Sequence, residues 1–442
     1  MRWPRIHSAL CWIVAGAALL LNCDDPKPDF GTLPPKPADL ATPAPPPDLS
    51  TRVDAATVAA EAPPAVVTPA TPGKAALFVR SSRCGECHEK FRNEWTGSAH
   101  SRANRTPAYR KVMGTASPAL RQLCQSCHLP SMAYGQPDDE PNRPSEGVSC
   151  DGCHTIKQVA VTPAGSTIQF DPASGSKYGP IVGASGHYFH DMAYSVLHTK
   201  SELCAGCHHR MEFQLGGEKR AIPVVLSYSD WQKFGKGKQC QDCHMPSRGT
   251  EEVARGSKPR PNVPSHAFGG ALAWGKLIRL ELGGNAKPGE INVEIQHNAG
   301  HALPSGYVDR RMLLRVEFFA ANGTKIATEE RSYGMQLVDA AGQPAPFFQA
   351  VRIAEDRRLV PGRMHVETFK LPTAAAAPAA TPGPGPGPGA ALAPVAVAPS
   401  KVTLSLVAAG TAPELRAVYG EPALVVIKTT SHPLPVRIGG SK

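Results

Sequence analysis

Five times the chain repeats one spacing of chemically active residues: Cys84-Gly-Glu-Cys87-His88, Cys124-Gln-Ser-Cys127-His128, Cys150-Asp-Gly-Cys153-His154, Cys204-Ala-Gly-Cys207-His208 and Cys240-Gln-Asp-Cys243-His244. Composition alone predicts about 0.01 such match in a chain of this length. Two thiols held three positions apart have the separation needed to add across the two vinyl groups of a haem. The imidazole that follows then ligates the iron from one face. The pattern assigns the ten cysteines to covalent attachment and His88, His128, His154, His208 and His244 to the proximal iron position. Zinc also takes Cys-x-x-Cys pairs, but it joins two of them, asks for no histidine after each, and is badly served by an odd number. A thioredoxin-like dithiol would be single. The expected cofactors are five covalently bound c-type haems.

The remaining cysteines leave nothing for a disulfide framework. Of twelve in all, Cys11 and Cys23 lie near the start and the other ten belong to the motifs. The formal charge of +10 invites a nucleic-acid reading, yet five haems bring about ten propionate charges and cancel it. No Arg/Lys-rich run with interleaved aromatics supports nucleic-acid binding either.

The second axial ligand decides what each iron can do, because an open position takes up a small molecule and a closed one only passes electrons. Histidines 100, 187, 190, 198, 209, 266, 297 and 301 lie in or near the motif region, more than five irons need. Met113, Met132, Met192, Met211 and Met245 are further donors. Met245 follows a proximal histidine directly and cannot reach the opposite face of the same ring.

Several stretches resemble multihaem cytochromes of the group that contains the nitrifiers' tetrahaem electron carrier and the hydroxylamine oxidoreductase-like proteins. They are Glu94-Trp-Thr-Gly-Ser-Ala-His100, Gly147-Val-Ser-Cys-Asp-Gly-Cys-His154, Ala193 to His208, and Cys243-His-Met-Pro246, within about residues 80 to 310. The resemblance implies distal ligation by His100 and His198. It extends to Ser265-His-Ala-Phe-Gly-Gly270 and Asn298-Ala-Gly-His-Ala-Leu-Pro-Ser-Gly306, which nominates His266 and His301. His190 is the fifth distal candidate, favoured over His187 by its spacing to Tyr194 and His198; His209 and His297 are reserves. Two departures speak against the group's catalysts. No Cys-x-x-Cys-Lys occurs, and the motifs number five where the hydroxylamine-oxidising relatives have eight haems.

The elements that must carry these residues divide the chain. Arg2 and Arg5 precede a thirteen-residue apolar run, Ala9 to Leu21, which suits a signal h-region and is too short to span a bilayer. Residues 1–22 are expected to be a signal peptide of lipoprotein type, with Cys23 after Leu20-Leu21-Asn22 as the lipidated residue. Residues 23–73 are a Pro/Ala-rich tether, with thirteen prolines from 24 to 73; its extended reach is on the order of 150 Å. Residues 74–275 form the pentahaem domain of short helices and loops. From 276 to 442 the pattern alternates in β fashion, with strands expected at 276–282, 291–297, 312–319, 333–338, 365–371, 402–407, 415–419 and 423–429. They predict a C-terminal antiparallel β-sandwich, interrupted at 372–399 by a disordered Ala/Pro/Gly insertion.

Together these features predict an exported, lipid-anchored electron carrier on the periplasmic side or cell envelope, with bis-histidine haems and redox proteins as partners. The alternative is a multihaem oxidoreductase acting on a small nitrogen or sulfur compound at one open haem. The β region carries no Ser/His/Asp or paired-carboxylate constellation.

Overall fold

Short helices and their caps set the frame of the motif region. A computed structural model describes residues 78–133, 146–269, 275–372 and 398–434. The expected signal segment, Cys23 and the tether lie outside the described residues, as do residues 373–397 of the insertion. The helices are α1 (Ser81–Cys84), α2 (Glu89–Thr96), α3 (Pro107–Thr115), α4 (Pro118–His128), α5 (Pro130–Ala133) and α6 (Asp151–His154). Thr106 and Ser117 cap α3 and α4 by accepting the Tyr109 and Leu120 amides, each followed by proline at the first helical position. Proline lacks only the amide that a first turn leaves unpaired.

Beyond α6 the motif region contains more strand than the sequence predicts. A hairpin of β1 (Ile156–Thr162) and β2 (Gly165–Phe170) is followed by β3 (Ser176–Gly179) and β4 (Asp191–Tyr194), which pair in parallel. Then come α7 (Ser201–His208), the hairpin β5 (Phe213–Leu215) and β6 (Glu218–Arg220), α8 (Ser227–Phe234) and α9 (Cys240–His244). Helix α7 lies close against the first hairpin. A Cβ on Gly206 would come within 2.8 Å of Ile168, so glycine is needed there for the approach.

The strand-rich region contains β7 (Ile278–Gly283), β8 (Glu290–His297), β9 (Arg311–Phe319), β10 (Lys325–Tyr333), β11 (Met335–Val338), β12 (Arg352–Asp356), β13 (His365–Lys370), β14 (Lys401–Ala409), the one-turn helix α10 (Arg416–Tyr419) and β15 (Leu424–Pro433). Two antiparallel sheets form, in orders β10-β9-β14-β15 and β13-β8-β7. Alternation decides which side chains face inward. Ile291, Val293 and Ile295 of β8 and Leu314, Val316 and Phe318 of β9 join Leu404 and Leu406 of β14 in one buried cluster.

Two expectations are corrected here. Residues 415–419, expected as a strand, are helical, with a 3-10 turn at Pro413–Leu415 leading into α10. Proline at the first position of that turn and Gly420 at its end fit a helical turn better than a strand. Strand β10 is absent from the expected set because Lys325 to Tyr333 is mostly charged or polar. It is an edge strand joined to β9 through Asn322-Gly323, with Gly323 at φ 83, the chemistry of a tight hairpin.

All described residues fall in one compact unit, and the two regions meet through a second apolar cluster. Val112, Leu120, Phe213 and Leu226 pack with Phe347, Leu415 and Tyr419. The buried ion pair Arg358 to Asp230, 2.6 Å, crosses the same junction. Because Phe318 is 0% exposed, Phe318→Ala is expected to lower unfolding stability by about 3–5 kcal/mol, read from a guanidinium titration.

Candidate functional site

Each Cys-x-x-Cys-His motif sits on or just after a helical turn. That geometry brings positions i, i+3 and i+4 onto one face, so both thiols and the imidazole point the same way. Helices α4 and α7 end on His128 and His208, α6 and α9 on His154 and His244, and Cys84 closes α1. The thiols are free rather than joined as disulfides. Burial pushes the Cys153 thiol up to about 12 and Cys124 up to about 11, whereas hydrogen bonds from Cys207 and Cys204 pull Cys127 down to about 5 and Cys240 down to about 7. Among the described residues no three or more His, Cys, Asp or Glu side chains converge as a metal cage.

The imidazoles are oriented by carbonyl oxygens that no sequence pattern announces. Nδ1 of His88 lies 2.5 Å from the Val253 oxygen, that of His128 2.6 Å from Ala103, and that of His154 2.8 Å from Tyr178. His190, His266 and His301 make longer Nδ1 contacts of 3.2 Å to the oxygens of Asp191, Pro264 and Ala302. With Nδ1–H donated to a carbonyl, Nε2 keeps the lone pair that binds a metal. Desolvation pulls His100 and His266 to about 4 and His208 to about 3, and it also lowers His154, His244 and His301. All six are therefore neutral near pH 7, the form that ligates.

Four imidazole pairs result. Ring centroids are 6.3 Å apart for His88 and His190, and 6.2 Å apart for His100 and His208, His154 and His266, and His244 and His301. Two metal–nitrogen bonds of about 2.0 Å each, plus the reach from nitrogen to ring centre, give a separation of about 6 Å. The donor set therefore fits an iron between each pair with its remaining ligands supplied by a haem.

Other histidines are engaged differently. His198 lies 5.8 Å from His154, but its Nε2 contacts the Cys153 carbonyl at 3.2 Å. Four of the five distal candidates thus lie 6.2–6.3 Å from a motif histidine, while His198 shares His154 with His266 and directs Nε2 to a carbonyl. His209 and His297, the reserves, direct Nε2 to the oxygens of Thr162 and Leu359 at 2.8 and 3.0 Å. His187 stacks on Tyr188 and Phe189. Opposite His128 the described residues supply no imidazole; its ring stacks with Tyr109 at 5.0 Å.

Hydrogen bonds fasten one motif to the next. Ser81 and Ser201, both 0% exposed, stand three residues before Cys84 and Cys204. Their hydroxyls accept the amides of Cys150 and Cys240 at 3.2 and 3.0 Å. At the same places the thiols of Cys84 and Cys150, and of Cys204 and Cys240, interact directly, as do those of Cys127 and Cys207. Motifs one and three, four and five, and two and four are thereby neighbours. Glu94 accepts the His266 amide at 2.7 Å and the Arg248 guanidinium at 2.9 Å. Trp95 Nε1 donates to the Val148 oxygen at 2.8 Å, and the Val148 amide to the His100 oxygen at 2.9 Å.

Gly147 is fixed by that last contact. Its φ is 66, and a Cβ there would sit 2.4 Å from the His100 carbonyl oxygen. Gly147→Ala is therefore expected to cost about 1–3 kcal/mol of stability and to displace His100 from His208. A denaturant titration run beside the absorption spectrum checks both effects.

Comparison with known proteins agrees with this geometry. A family model described as cytochrome c554 and c-prime matches residues 83–155, which hold the first three motifs. Among curated proteins none matches. The crystal structure of a penta-heme cytochrome c552 from Thermochromatium tepidum is similar over 80% of this chain and 99% of that one, with a TM-score of 0.59 at 19% identity. The chain has the fold of a multihaem c-type cytochrome.

Proposed function

We propose that this protein is an exported five-haem carrier of electrons, working between redox partner proteins at the membrane or in the periplasm. The observation that carries the reading is the set of four imidazole pairs at 6.2–6.3 Å. When bound, the haems supply one-electron iron couples. The chain would attach them through ten thiols, orients six imidazoles by Nδ1 contacts to carbonyls, and would close four irons to substrate with its imidazole pairs. Thiol neighbours order the attachment sites as one, three, four and five, with two beside four; the third meets the fourth because Cys153 lies near Cys204 and Cys207. Such an order suits transfer along a line with a branch.

The finer parts of the reading rest on sequence. The basic start and short apolar run support export, and Cys23 followed by the tether supports a lipid anchor that confines the carrier near its partners. Among the described residues no helix is long and apolar enough to cross a membrane. The two sheets that share one cluster are read as the layers of an antiparallel sandwich, through which His301 reaches back to His244. Kinship with the hydroxylamine oxidoreductase-like proteins belongs to the same proposal. The oxidoreductase alternative requires an open iron, and His128 is the position that would offer one; four closed pairs favour the carrier.

Mass measurement of the purified protein is expected to give five haems per chain. On reduction, carbon monoxide is expected to perturb no more than one of them. His266→Ala should add one CO-binding haem and His198→Ala should add none. CO binding at several haems of the unaltered protein would remove the carrier reading.

A further inference from the structure

Resting on the haem reading above, we infer that the buried ion pair of Asp151 and Lys177 positions imidazoles at two centres at once. These are His154 in the third motif and His190, which faces His88 of the first. Asp151 opens α6 between the two cysteines of its motif and is 1% exposed. Lys177 of β3 brings its Nζ to 2.8 Å from Oδ1 and 2.9 Å from Oδ2, and its side chain is 15% exposed. Other ion pairs of the motif region, Arg83 with Glu86, Lys157 with Asp171 and Arg255 with Glu89, keep their cations at the surface. The acid of the fifth motif, Asp242, caps its own helix by accepting the Gln239 amide at 2.8 Å. Asp151 instead reaches out of its helix. Burying two charges is costly, and what the pair secures is geometry.

The strand that Lys177 anchors serves both centres. Its next residue, Tyr178, presents the carbonyl oxygen that lies 2.8 Å from Nδ1 of His154, and His154 faces His266 at 6.2 Å. The same strand pairs in parallel with β4, Ser176 opposite Asp191 and Lys177 opposite Met192. His190 immediately precedes that register and stands 6.3 Å from His88. A two-stranded parallel sheet with four residues on each strand is marginal by itself. Tyr178 adds a local bond from its hydroxyl to Asp171 at 3.0 Å, seven residues back, whereas the ion pair ties β3 to a motif helix.

Asp151 also holds the other side of the first centre. Its Oδ2 accepts the Val79 amide at 2.6 Å, two residues before α1, and Ser81 of α1 accepts the Cys150 amide at 3.2 Å. One carboxylate therefore fastens the approach to Cys84, its own motif helix, and through Lys177 the strand that sets His154 and His190. Asp151 and Lys177 are positioning residues, acting on the centres only through these contacts.

The test is low-temperature EPR and a spectroelectrochemical titration of the full haem-loaded protein and its variants. Lys177→Met is expected to change the g values of two haems, shift two midpoints and leave three of each unmoved. His190→Ala and His266→Ala, which open the first and third centres, identify the two. The double variant Asp151→Asn with Lys177→Met buries no unmatched charge, yet it is expected to disturb the same two centres. Lys157→Met, which removes a surface cation near the third motif, should leave all five unchanged. A return of the double variant to the original spectrum would overturn the inference, since the effect would then be that of an unpaired charge alone. So would five undisturbed centres in Lys177→Met, a change at one centre only or at all five, or the same change in Lys157→Met. If Lys177→Met is not recovered with its haems, the double variant decides: disturbance of the two centres supports the inference. Five undisturbed, five disturbed or no recovery of the double variant contradicts it. Mass measurement of five haems and bis-imidazole EPR signals in the unaltered protein keep these outcomes separate from failure of the haem reading.

Discussion

An imidazole binds a metal through Nε2 only while its other nitrogen carries the proton, and much of this structure exists to hold that proton in place. Five of the paired histidines, His88, His154, His190, His266 and His301, direct Nδ1 to a backbone carbonyl, from segments as distant as Val253 for His88 and Tyr178 for His154. Those carbonyls come from loops, so the irregular chain between motifs is structural in effect. His198 differs in this respect: in the same neighbourhood it directs Nε2, and not Nδ1, to a carbonyl, that of Cys153.

The motifs are held in turn by polar bonds rather than by a conventional core. Buried Ser81 and Ser201 hold the first cysteine of the third and the fifth site, and Glu94 holds the backbone of His266. Apolar packing is concentrated in the strand-rich region and at its junction with α3, α4 and α8. The arrangement divides labour. The sheets contribute most of the buried hydrophobic surface, while the motif region gives up side-chain core for space around its imidazoles.

The five Cys-x-x-Cys-His motifs were legible in the sequence because their spacing is local, and the structure adds that each sits on or just after a helical turn. The histidines that pair with motif histidines were legible in part. His100, His266 and His301 stand in stretches with recognisable company, and His190 lies in a short loop whose spacing was informative. What periodicity could not give was which histidine meets which, since those pairs join residues 88 and 190 or 100 and 208 across long stretches of chain. For His198 the family-like segment specifies position along the chain and says nothing of ring orientation, which the contact of its Nε2 with the Cys153 oxygen adds. Strand β10 was hidden by its charged edge, and 415–419 looked extended because one helical turn is too short to show a period.

Near-infrared magnetic circular dichroism of the fully oxidised protein tests the central claim most directly, because the charge-transfer band of low-spin ferric haem reports the axial ligand pair. The account predicts four bis-imidazole irons per chain, with the iron at His128 distinct from them. Fewer than four, or methionine ligation at any of the four paired centres, would contradict it.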